Sequence, residues 1–281
     1  MALLLCNPAL AQEAGTPVLE LDPASPWNLD YADDSCALMR GFGAENQRVL
    51  FELRQFSPGE TARMMVASDQ LELSRRTPAI ASIPGEPSEL PAPTFITGES
   101  NMRGFYGRVS PLSRGVEGEA IYRLDDAARN ARESEIRGFQ IDNAFAQPVF
   151  LKTGSMHAAM EALRTCMDEL ITGWGVDLAI LGALTRPPTP LDRQAWTRQI
   201  INHYPRRALA QGREASLAVT LLINAEGRVE RCAIFNALTN EDFAAVACAA
   251  LAEYARFEPA LGPQGEPTFG FWSSNVIYSI S

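Results

Sequence analysis

Two histidines, His157 and His203, are the only imidazoles in the 281 residues, so any Ser-His-Asp triad or histidine-based metal site would have to be built on one of them. His157 falls one residue off the apolar stripe of an expected helix and reads as structural or solvated. His203 precedes Tyr204-Pro205 and reads as part of the entry into the C-terminal region. Asp30, Asp33 and Asp34 surround Tyr31 and cluster carboxylates as a hard cation would require, but their spacing is not that of an EF-hand loop, and an exposed acidic turn accounts for them. Gly154-Ser155 is not followed by the second glycine of a nucleophile elbow, and no glycine-rich phosphate loop occurs. No catalytic, cofactor-binding or metal-ligating residue is nominated, and no cofactor is expected. The reading is of a non-enzymatic protein.

The cysteines carry more chemistry. Cys6 lies in the short apolar run Ala2–Cys6, ahead of Ala9-Leu10-Ala11, an A-x-A cleavage signature before Gln12. Residues 1–11 therefore read as a signal peptide without its basic start, and an exported, periplasmic protein is expected. Leu5 is too large for the position before a lipidated cysteine. Removing Cys6 leaves Cys36, Cys166, Cys232 and Cys248, an even number that suits an oxidising compartment. Four cysteines allow three pairings. Sequence locality favours Cys232–Cys248 and Cys36–Cys166, the alternative being buried free thiols. No C-x-x-C occurs, so neither a zinc site nor a thioredoxin-type pair is indicated.

Charge narrows the partners. The net charge is −10, with 7 basic and 8 acidic residues from Trp196 onward, which leaves −9 in residues 1–195. So acidic an N-terminal region argues against nucleic acid and anionic lipid. A hydrophobic content of 46 % beside 21 % charged residues is ordinary globular composition, and the length suits two modest domains. No stretch approaches the ~20 apolar residues of a membrane span.

The elements that would position these groups divide the chain. Residues 12–26, with Pro17, Pro23 and Pro26, read as an extended leader. Residues 27–186 read as a β-rich domain with one long helix. Its expected strands are Arg48–Arg54, Ala62–Ala67, Gly104–Val109, Ala120–Leu124 and Phe139–Phe145. Five prolines make 78–93 a loop, and Asp125–Glu135 reads as a solvated helix or loop. Met156, Met160, Leu163, Met167 and Leu170 repeat with the helical period, which predicts a helix over 154–173 closed by Gly173-Trp174-Gly175. Cys166 lies beside that stripe and faces protein, which makes a bridge to Cys36 plausible. Pro187-Pro188-Thr189-Pro190 marks a stiff linker over 187–195.

Residues 196–281 read as a β-β-α-β module. Ala215–Asn224 and Arg228–Asn236 flank a short loop whose Gly227 can take positive φ. Leu217, Val219, Leu221 and Ile223 form the more apolar face and should point to the core. Phe243, Val246, Ala247, Ala250, Leu251 and Tyr254 form an amphipathic stripe with Asn240 as its cap. Phe269–Ile280 returns as a last strand.

In order and spacing this module resembles the TonB C-terminal domain family. The matching elements are Tyr204-Pro205 with Ala208 and Gly212, the alternation Val219/Leu221/Ile223, Gly227-Arg228-Val229, Cys232 with Ile234, Phe257-Glu258-Pro259-Ala260 and Gly265-Glu266-Pro267. The resemblance implies an α+β fold, with a three-stranded antiparallel sheet and a helix on one face. It also implies that the sheet edge near the C-terminus takes up an extended peptide from a partner, in that family an outer-membrane receptor, by β-augmentation. The residues such a segment would meet are Phe269, Phe271, Ser273, Ser274, Asn275 and Ile277. An internal strand, or one paired in a homodimer, are the competing readings. The rival function is a periplasmic hydrolase or ligand-binding protein with its site in residues 27–150.

Overall fold

The computed structural model describes residues 16–59, 61–82, 88–98, 101–111 and 126–280. The expected signal peptide and the expected strand Ala120–Leu124 lie outside the described residues. The fold is α+β. In the N-terminal region the strands are β1 (Leu19–Leu21), β2 (Asn28–Tyr31), β3 (Cys36–Phe42), β4 (Val49–Gln55), β5 (Ala62–Ser68), β6 (Ala79–Ala81), β7 (Ser88–Glu89), β8 (Thr94–Thr97) and β9 (Arg103–Val109). Then come α1 (Asp126–Glu135), β10 (Phe139–Asp142), β11 (Val149–Leu151), α2 (His157–Gly173) and α3 (Leu178–Gly182). The C-terminal region holds β12 (Thr189–Leu191), α4 (Arg193–Asn202), α5 (Arg206–Ala210), β13 (Ala215–Ile223), β14 (Val229–Ile234), α6 (Glu241–Tyr254), β15 (Arg256–Glu258), β16 (Ala260–Leu261), β17 (Pro267–Thr268) and β18 (Gly270–Tyr278).

Two sheets build the N-terminal region: an antiparallel one ordered β2-β3-β4-β5-β9-β8, and a second ordered β1-β11-β10-β6-β7. Phe42, Phe51, Leu53, Met64 and Phe105 of the first sheet are fully buried with Phe139, Ile141 and Leu151 of the second. Each such side chain contributes about 1.5–3 kcal/mol through burial alone. Helix α2 closes this core with Met160, Leu163, Met167 and Ile171. The buried stripe ends on Ile171, with Leu170 only partly covered, and the helix begins at 157 because Gly154 turns at φ +71 and Met156 donates its amide to the Glu133 carbonyl.

Three stretches differ from the sequence reading. The expected leader 12–26 contains β1, which runs parallel to β11 with Leu19, Glu20 and Leu21 opposite Val149, Phe150 and Leu151. The expected loop 78–93 contributes β6 and β7 to the same sheet, with Pro78 lying just outside the paired residues. The expected linker 187–195 contains β12, which pairs with β15 and so belongs to the C-terminal module. Pro190 is tolerated there because β12 has a neighbour on one side only, among the described residues.

The C-terminal module is a three-stranded antiparallel sheet ordered β14-β13-β18 with α6 on one face. Leu217, Val219, Leu221 and Ile223 are buried against Phe243, Ala247 and Leu251 of α6. Asn240 occupies the N-cap position of α6 but makes no side-chain cap; its amide nitrogen donates to the Asn236 carbonyl instead. Helix α4 adds Trp196 and Ile200 to this core, and Trp196 meets Phe257 and Trp272 ring to ring at 6.2 Å each.

Candidate functional site

The four cysteines form two disulfides. Cys36 on β3 is bonded to Cys166 on α2, with Cα atoms 6.2 Å apart, and both residues are fully buried. Cys232 on β14 is bonded to Cys248 on α6, with Cα atoms 5.6 Å apart. Each bridge ties a sheet to the helix that covers it.

Strand β18 lies at the edge of its sheet, and its backbone polarity can be read residue by residue. The Phe235 amide donates to the Ala218 carbonyl, and the Ala218 amide donates to Asn236 Oδ1. Both backbone groups of Ala218 therefore face the β14 side. In an antiparallel strand these groups alternate sides along the chain, so those of Leu217, Val219 and Leu221 face β18. Their register partners are Val276, Ser274 and Trp272, which are consequently bonded back to β13. Phe271, Ser273, Asn275 and Ile277 turn their amides and carbonyls to the open side.

The six residues read from the sequence thus separate into distinct roles. Phe269 precedes β18, and both Phe269 and Phe271 pack partly buried against the N-terminal core together with Leu222. Ser274 faces β13 with its backbone, and its Oγ accepts a hydrogen bond from Arg193 Nη2 at 2.8 Å. Ser273, Asn275 and Ile277 remain exposed, Ile277 by 60 %. The accessible edge is thus the stretch Ser273–Ile277, shortened at its start by the N-terminal domain. That shortening was not legible in the sequence, because it depends on which sheet face the upstream domain covers.

A second feature lies between the N-terminal region and the C-terminal module. A cleft of about 460 Å³ has one wall made by Ser35, Glu52, Arg54 and Arg63, and an opposite wall that includes Leu238, Ala245 and the Cys232–Cys248 bridge. Arg63 Nη2 donates to Glu52 Oε1 at 2.9 Å, and its Nη1 donates to the Phe235 carbonyl at 2.9 Å. Arg54 Nη2 donates to Glu52 Oε2 at 3.0 Å and to Asp30 Oδ2 at 2.8 Å. Burial on its own would lower the Arg54 pKa, but its hydrogen bonds to the Glu52 and Asp30 carboxylates, with their charges, outweigh it and raise the value. Asp30, one of the three carboxylates considered for a cation, is thereby an arginine partner.

The histidines are engaged structurally. His157 Nδ1 lies 3.1 Å from Oε2 of Glu133, a fully buried carboxylate that Arg164 also binds through both terminal nitrogens. His203 Nδ1 donates to the Gln199 carbonyl at 2.7 Å, and its ring lies 5.3 Å from that of Tyr254.

The C-terminal region is thus a small sheet with one edge strand and one helix packed on its face. Residues 202–276 match the family described as the Gram-negative bacterial TonB protein C-terminal, so this part of the chain is a TonB-family C-terminal domain. Domains of that family are non-enzymatic and mediate protein–protein interactions, typically with outer-membrane receptors. Strand β12 and nearly all of α4 lie before the matched residues, although both pack on the module. No curated protein gives a match to the chain. Among the described residues no helix is long and apolar enough to cross a membrane.

Proposed function

We propose that the C-terminal domain holds an extended segment of a partner protein by β-augmentation along Ser273–Ile277, in the periplasm and in connection with outer-membrane transport. The observation that carries this reading is the backbone polarity of β18. Its Ser273, Asn275 and Ile277 amides and carbonyls face away from β13 on exposed residues, and such a row is a template for one more strand. Two disulfides support an oxidising compartment. The partly buried contacts of Phe271 with the N-terminal core limit the partner to a short stretch of ladder.

A pair of proline variants tests it. Asn275→Pro removes an outward amide and leaves the β13 ladder intact, so it keeps the thermal transition and loses capture of outer-membrane receptor segments from envelope extract. Ser274→Pro removes an amide bonded to β13, and lowers stability by about 3 kcal/mol. Capture unchanged in a folded Asn275→Pro protein would sink the reading. A size measurement by light scattering on the same variant distinguishes a second copy of this chain as the occupant, since a homodimer joined at β18 would dissociate.

A further inference from the structure

The two disulfides sit in opposite environments. Cys36 and Cys166 are 0 % exposed and belong to the N-terminal core among Leu38, Leu163 and Met167. Cys232 and Cys248 are half-buried and line the interdomain cleft. Exchange begins with attack of a thiolate on a disulfide sulfur and so requires that sulfur to be reachable. A cleft of about 460 Å³ has room for a small dithiol or for a cysteine-bearing loop. We propose that Cys232–Cys248 is a thiol–disulfide exchange site, reached through this cleft by a dithiol reductant, whereas Cys36–Cys166 is inert in the folded protein.

One thiolate of the dithiol attacks a cleft-facing cysteine sulfur. The Cys232–Cys248 bond breaks, and its electron pair leaves on the other cysteine, which takes a proton. The second thiol of the dithiol then loses its proton and displaces the mixed disulfide. The attacked cysteine is released as a thiol, and the dithiol leaves as a disulfide. Two electrons and two protons pass to the protein. The module survives the change, because α6 still buries Phe243, Ala247 and Leu251 against β13 and β14 still pairs with β13 along Val219–Ile223. Reoxidation therefore restores the same bond.

The test uses the full oxidised chain without denaturant, treated with dithiothreitol for increasing times, quenched in acid, alkylated and mapped by mass spectrometry. Label is expected on Cys232 and Cys248 at least about tenfold sooner than on Cys36 and Cys166, with the circular dichroism spectrum unchanged. Both pairs labelling together, or the buried pair first, would overturn the proposal. Ala245→Trp, at an exposed position on the cleft wall, is expected to slow labelling of Cys232 and Cys248 by about tenfold through loss of access. Leu238→Trp repeats the test from a second exposed wall position. An unchanged rate in both folded variants would show that the cleft is not the route, and the proposal would fail.

Discussion

The carbonyl oxygen of Gly227 accepts the amide of Phe257 at 2.9 Å, and a β-carbon placed on Gly227 would lie 1.9 Å from the carbonyl oxygen of Phe257. Two sequence elements 30 positions apart thereby meet backbone to backbone, and the glycine hairpin is locked to the strand that follows α6. Neither backbone can retreat cheaply, since Phe257 also stands opposite Pro190 in the β12–β15 pair.

Gly227→Ala is accordingly expected to cost more than about 2 kcal/mol, above the ~1 kcal/mol of strain that a β-carbon meets at positive φ by itself. Gly227→Asn is the informative companion. Asparagine tolerates the φ of +73 but carries the same β-carbon, so both variants should lose similar stability in urea unfolding. An Asn variant as stable as the wild type would show that the turn conformation, and not the close approach to Phe257, requires glycine.

Tyr278 gives an alkaline limit to stability. It is fully buried between the rings of Tyr204 and Phe243, and burial, aided by the neighbouring Tyr204, pushes its pKa up from 10.0 to about 12. Below pH 10 the phenol is neutral in both states and nothing is lost. Between pH 10 and about 12 the unfolded chain ionises while the folded one keeps its proton, so stability falls with rising pH by on the order of 2–3 kcal/mol. Tyr278→Phe should flatten that decline in unfolding free energies measured from pH 8 to 12. Its effect at neutral pH should be small, because the Tyr278 hydroxyl is buried with no hydrogen-bond partner among the described residues.

Arg63 joins the two domains through Glu52 on one side and the Phe235 carbonyl on the other. Its guanidinium also lies over the rings of Phe56 and Tyr106, at 5.3 and 5.7 Å. Arg63→Met leaves Glu52 with Arg54 and leaves the Phe235 carbonyl without that donor, at a cost of about 2–4 kcal/mol. Calorimetry is expected to show one transition for the wild type and two for the variant, the C-terminal module melting apart from the N-terminal region. One unaltered transition in the variant would mean that the apolar contacts of Leu222 and Phe271 couple the domains unaided.

What could be read from the sequence was local. The alternation Leu217–Ile223, the stripe Phe243–Leu251 and the glycine at 227 each express their geometry within a dozen residues, and the structure has them in those roles. Helix α4 has only Trp196 and Ile200 buried and starts from Asp192 at φ +43, so its periodic signal is too thin to stand out. Strands β1, β6 and β12 were hidden for another reason. Each is three residues long, and each pairs with a strand distant in sequence, β6 having the nearby β7 on its other side as well. Similarly, the edge position of β18 follows from the family pattern, but the division of its residues into inward and outward backbone groups needed the register with β13.

The parallel pairing of Leu19 with Val149 has a consequence for the order in which the molecule can be completed. A chain emerging from its amino end presents β1 first, yet the only strand that pairs with it among the described residues lies 130 positions later. For a chain delivered amino end first, that wait lasts until residue 149 has arrived. Throughout it, Leu19 and Leu21 are unpaired and apolar, and Cys36 likewise has no Cys166 to meet. Strand β1 can therefore take its place only once residues 149–151 are available to pair with it. A nascent chain arrested before residue 149 should be held by chaperones and cut readily by protease, even with most of its strands already made.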